Sequence, residues 1–148
     1  MKRSFTFISI LFLFTAIITP SLYAQDNSSA ANDELKPEEK LVVLWTSADR
    51  DVALNMAFMY AANSPRFNWW KDVTLLIWGP SAKLLTEDTE LQEVVKKMKE
   101  AGVHLLACKA CADNYGVADK LEALGVTVKY AGGDLTNFLK EGRHVLTL

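Results

Sequence analysis

The sequence predicts an α/β protein: a three-layer α/β/α sandwich around a mainly parallel five-stranded sheet. Three observations carry that expectation. Apolar runs of about five residues recur five times after residue 40, too short for helices and right for buried strands. Stretches with apolar residues at helical spacing separate them. Glycine or proline punctuates most of the junctions, and strands that alternate with helices make a parallel sheet.

The first strand is residues 41–45, Leu-Val-Val-Leu-Trp, ending at Thr46-Ser47. Val52, Met56, Met59 and Tyr60 then recur at helical spacing, predicting a helix from Asp49 to Ala62 that Asn63-Ser-Pro-Arg breaks. Residues 73–78 are the second strand, closed by Gly79-Pro80. A short helix is expected over residues 81–85. Thr89 and Gln92 have the spacing of a capping box, opening a helix with Leu91, Val94, Val95 and Met98 on one face. Gly102 ends it in the usual C-terminal glycine position.

Residues 103–107 form the third predicted strand, followed by a turn holding Cys108 and Cys111. A helix broken near Gly116 resumes over 119–124 and stops at Gly125. Residues 126–130 are the fourth strand, Leu135, Phe138 and Leu139 mark a short helix, and residues 144–148 close the sheet.

The N-terminus predicts export. Lys2 and Arg3 precede a charge-free run over residues 5–18, then Pro20-Ser21 and a small residue at Ala24, the layout of a secretory signal peptide. Spanning a bilayer takes about 20 apolar residues, more than this run supplies. Three segments follow: residues 1–24 as signal peptide, 25–39 as a flexible polar linker, and 40–148 as one domain. The chain carries 16 basic and 18 acidic residues. Without Lys2 and Arg3, 14 basic residues remain and the formal charge is −4. A mildly acidic surface argues against nucleic acid, and against membrane association once the signal is removed. The expected location is periplasmic or secreted.

Cys108 and Cys111 are the only two cysteines. Cys108 falls where the third strand ends and Cys111 in the first helical turn, at the carboxyl edge where open α/β sheets form their crevice. Thr46-Ser47 and Gly79-Pro80-Ser81 emerge at the same edge. Backbone N–H groups at a helix start stabilise a thiolate, and Lys109 adds a positive charge nearby. The thiolate is the nucleophile of sulfur chemistry. A plain disulfide would close so short a loop that it removes little unfolded-state entropy. Cys-x-x-Cys is also half of a zinc site and suits copper(I), but the chain has no second pair. Covalent haem needs histidine where Ala112 stands, so it is excluded and no cofactor is predicted. His104 and His144 are the available bases. Asp113 and Asn114 are expected to bond the helix start. Trp45 and Trp78 read as core or crevice walls, and Trp69-Trp70 as a subunit contact. Gly132-Gly133 is a weak anion signal, lacking a full phosphate-binding pattern.

The run from Cys108-Lys-Ala-Cys-Ala-Asp-Asn-Tyr-Gly-Val117 through Leu121, Gly125 and Val126-Thr-Val-Lys-Tyr-Ala-Gly132 resembles the DsrE family of sulfur-relay and related small proteins. Trp78-Gly-Pro-Ser-Ala-Lys-Leu-Leu85 and the segment from Leu139 to Leu148 are similar to the same family. The resemblance covers residues 40–148. It implies a compact subunit that assembles into trimers or hexamers and meets a sulfur-donor or redox protein partner. It also implies that Cys108, eight residues before Gly116, carries persulfide sulfur, with Cys111 resolving or sharing it. Two rival readings stand beside sulfur transfer or thiol–disulfide exchange. One is a non-catalytic oligomeric binding module with a passive disulfide, and the other is a thiolate metal binder.

Overall fold

The computed structural model describes residues 35–148, so the expected signal peptide and most of the expected linker lie outside the described residues. Pro37–Glu39, at the end of that linker, form a 3-10 turn, and Glu39 pairs with Lys71 at 2.6 Å. Five strands follow: β1 (Lys40–Trp45), β2 (Asp72–Ile77), β3 (His104–Cys108), β4 (Thr127–Lys129) and β5 (His144–Thr147). They pair in the order β4-β3-β2-β1-β5, and every pairing is parallel.

That order dictates which face each helix covers. The chain steps from β1 to β4 in one direction, and right-handed crossovers then place all the intervening helices on one face. These are α1 (Arg50–Val52), a π-helical stretch (Ala53–Phe58) and α2 (Met59–Arg66), then α3 (Pro80–Glu87), α4 (Thr89–Glu100), α5 (Lys109–Tyr115) and α6 (Ala118–Ala123). The step from β4 back past three strands to β5 reverses direction, so α7 (Gly132–Lys140) lies on the opposite face.

The side chains sort accordingly. Val43, Leu75, Ile77 and Ala107 point into the thick core, where they meet Phe58, Leu85 and Leu121. Val42, Leu76, Leu106 and Cys108 point to the thin layer under α7. The central strands are buried on both faces, which is why they read as unbroken apolar runs. Each such aliphatic side chain contributes about 1.5–3 kcal/mol through burial. α7 contributes no fully buried residue, so the second face is thinly covered.

Three local readings are corrected. The first long helix does not stop at Asn63 but runs through Pro65 to Arg66, with the Ser64 hydroxyl donating to the Tyr60 carbonyl at 2.7 Å. A proline tucked into a final turn bends less than one mid-helix because few helical bonds lie beyond it. The cap of α4 is Asp88, not Thr89: its Oδ1 accepts from the Leu91 amide at 3.1 Å, while Gln92 donates to the Leu85 carbonyl. Asp113 sits inside α5 and pairs with Lys109 at 2.7 Å, so it does not cap that helix. Among the described residues no helix is long and apolar enough to cross a membrane.

Candidate functional site

Cys108 is both the last residue of β3 and the N-cap of α5, and Cys111 lies in the first turn of that helix. Gly116 ends α5 in the left-handed conformation, φ 66°, which glycine adopts without steric cost. Both cysteines are free thiols. Cys108 is 5% exposed among Leu76, Leu106 and Ala131, and Cys111 is half-buried.

The neighbouring turn supplies the second half of the site. Gly79 follows β2 with φ 70° and ψ −137°, a region that side chains with a Cβ rarely enter. Its amide lies near enough to the Cys111 sulfur to favour the thiolate. Burial pushes the Cys111 thiol above its ordinary value, and its hydrogen bond to Cys108 and the charge there push it further. The Gly79 and Cys111 amides pull the other way. Cys111 is the more accessible of the two thiols, and Cys108 is nearly enclosed.

Of the three segments expected at this edge, only two meet. The Thr46 amide and hydroxyl both bond the Leu148 carbonyl, at 2.6 and 2.9 Å, so the first turn is occupied by the residue that follows β5. Ser81 is fully buried, with its hydroxyl donating to the Trp45 carbonyl at 2.7 Å, and it serves the fold. Trp45 is core, packed edge-on against Phe58 at 4.8 Å. Trp78 is half-buried and, like Cys111, packs on the small cluster that holds Cys108. Lys109 is drawn to both oxygens of Asp113 at 2.7 Å, with its ammonium 5.7 Å from the Tyr130 ring centre.

The histidines do not reach the thiols. His104 opens β3 at its far end, about 13 Å of strand away from Cys108. His144 opens β5 and lies against Trp70, ring centres 4.9 Å apart and planes tilted by 54°. Gly132-Gly133 begin α7. Among the described residues no three His, Cys, Asp or Glu side chains gather as metal ligands. A soft metal would have the two sulfurs alone. Sequence reasoning named the Gly79 segment but not the role of its amide. A glycine followed by proline after a strand was the available signal.

Fold and site together define a small parallel α/β protein with a reactive-thiol turn at the carboxyl edge of its sheet. The chain belongs to the DsrE/DsrF-like family, which matches over residues 39–148. Among solved structures it is similar to the conserved protein of unknown function BT1422 from Bacteroides thetaiotaomicron, at 41% identity and TM-score 0.72, covering 74% of this chain and 95% of that one. The ychN protein from E. coli matches at 18% identity and TM-score 0.59, over 74% and 98% of the two chains. A protein of unknown function from Methanobacterium thermoautotrophicum, MTH1491, matches at 20% and 0.57, with the same coverage. The last two likenesses concern the fold alone. No functionally curated protein matches the chain significantly.

Proposed function

We propose that the Cys108–Cys111 pair receives sulfane sulfur from a protein persulfide and passes it on. Family membership suggests a sulfur-relay-related role. The observation that carries the finer reading is the placement of two free thiols together where β3 gives way to α5. Cys108 is the last strand residue and Cys111 lies in the first helical turn, so that one sulfur can be loaded and the other lies close enough to release it. The Cys108 thiolate attacks the outer sulfur of the donor's R–S–SH, forming a Cys108 persulfide and releasing the donor thiol R–SH. An acceptor thiolate then takes that outer sulfur and restores Cys108. In a resolving branch, the Cys111 thiolate attacks the inner sulfur, giving the Cys108–Cys111 disulfide and hydrogen sulfide. A dithiol protein partner would reduce that disulfide in exchange for its own.

The basic start and apolar run of the N-terminus support an exported protein working in the periplasm or outside the cell. The exposed, stacked rings of Phe67 and Trp69 support a homo-oligomer. The near-complete burial of Cys108 favours one second reading, a non-catalytic oligomeric module in which the pair is inert.

Sulfur loading separates the two. Reduced protein treated with a small-molecule persulfide and then alkylated should gain sulfur on Cys108, read by peptide mass spectrometry. Cys108→Ala should lose the load, and Cys111→Ala should keep it but release less sulfide. Equal loading of wild type and Cys108→Ala defeats the transfer reading. Thiols that react only on unfolding establish the inert one.

A further inference from the structure

On the α7 face, running from the starts of β2 and β3 toward Lys129 on β4, a groove of about 320 Å³ opens between β2, β3, β4 and α7. That is the lower end of the range for small-molecule sites. Its floor is apolar, with Leu106 and Phe138, and its walls carry Asp72, Lys129, Asp134 and Arg143. Two acids and two bases leave it formally neutral, so it offers paired opposite charges without an excess of either.

The Asp72–Arg143 pair is incompletely used. Arg143 Nη1 lies 3.4 Å from Asp72 Oδ2, a long contact, and Nε bonds Glu141 at 2.9 Å. Nη2 has no partner among the described residues. Asp72 Oδ1 is buried and accepts no hydrogen bond. His104 covers it from 3.7 Å, beyond hydrogen-bond distance, with a side chain 72% exposed and easily moved aside. Buried acceptors are nearly always satisfied, and an unsatisfied one calls for a missing partner. The Arg143 guanidinium rests 4.4 Å from the Phe138 ring centre, which fixes its orientation. On the opposite wall Lys129 and Asp134 form a second pair at 2.7 Å.

We propose that this groove binds the head group of a small free α-amino acid. The ammonium would donate to Asp72 Oδ1 once His104 swings off it. The carboxylate, one carbon away, would accept from the unused side of Arg143. An apolar side chain would lie on Leu106 and Phe138. A neutral site with an acceptor and a donor side by side selects a zwitterion, since a simple anion or cation satisfies one and leaves the other unmet. The proposal is independent of the thiol chemistry.

L-leucine is the probe, with 4-methylpentanoate as the analogue lacking the ammonium and isoamylamine as the one lacking the carboxylate. Each is titrated at neutral pH into the isotope-labelled full chain and followed by amide NMR shifts. Leucine should give saturable shifts at Leu106 and Thr127, and each analogue should bind at least about tenfold more weakly. Asp72→Asn should weaken leucine to the level of 4-methylpentanoate. Thr127→Tyr, which fills the groove from an exposed edge strand, should abolish the shifts and decides the matter if Asp72→Asn fails to fold. No saturable change at tens of millimolar leucine, equal binding of all three probes, or unaltered binding by Thr127→Tyr overturns the proposal.

Discussion

The Gly79 amide and the Cys111 sulfur meet across two separate strand-to-helix turns, and the amide opposes the burial and the Cys108 contact that raise this thiol. In Cys108→Ala the hydrogen bond and charge of Cys108 disappear, while burial and the Gly79 amide remain. The pH midpoint for alkylation of Cys111 should therefore fall below its wild-type position, measured by peptide-resolved iodoacetamide labelling. A midpoint that stays in place would assign the whole shift to burial. The sign for stability follows from the raised value. The contribution is complete below the ordinary thiol range and is lost as pH climbs through the raised folded one.

Lys109 follows Cys108 directly, yet its ammonium is held by Asp113, which with desolvation opposing keeps it raised above the usual lysine value. Its charge is directed along α5 instead of toward the thiols. Lys109→Met should change the alkylation rate of the pair by less than about twofold at physiological salt, where exposed charges are screened. A larger loss, recovered in Lys109→Arg, would give Lys109 a direct role at the sulfur.

Asp88 links stability to acid. Its bond from the Leu91 amide, and then its pairing with Arg50, hold its carboxyl below the ordinary range. A lowered value stabilises the fold above the unfolded carboxylate pKa of about 3.9, and that stabilisation is lost as pH falls through the lower folded value. Asp88→Ala should reduce Tm by a few degrees at neutral pH through the lost cap. Asp88→Asn should keep most of the cap and lose the acid-side drop. Thermal melts between pH 3 and 7 (~4 units of range) would show both, and equal neutral-pH losses in the two variants would contradict the capping role.

What could be read in the sequence was whatever depended on neighbours along the chain. The five apolar runs became five strands because each is buried on both faces or paired within one sheet, and burial leaves its mark on composition. Cys108 and Cys111 landed at a strand end and a helix start because those boundaries are local. The α4 cap was misplaced by one residue because Asp88 and Thr89 are both good caps, and only the reach to the Leu91 amide decides between them. The Gly79–Cys111 bond and the Asp72–Arg143 pair are different in kind. Each joins residues far apart in sequence, and no periodicity foretells which donor will face which acceptor once the sheet has closed.

The aromatic surface at the other end of the molecule bears on assembly. Phe67 and Trp69 are each more than half exposed, and their rings stack at 5.5 Å, with Tyr60 5.7 Å from Trp69. Arg66 lies 5.3 Å from the Phe67 ring centre. Large aromatics beside an arginine, held in place by their own contacts, have the make-up of an interface anchor. A partner copy seated there would remove apolar area from water. On the proposal of a homo-oligomer, the wild type should sediment as a trimer or hexamer and the Phe67→Ser, Trp69→Ser double variant as a monomer at the same concentration. Tyr130, still more exposed but beside the thiol turn and Lys109, provides the control: Tyr130→Ser should leave the assembled mass unchanged. A wild type that is monomeric at high micromolar concentration, or a double variant that assembles normally, would remove this surface from the assembly.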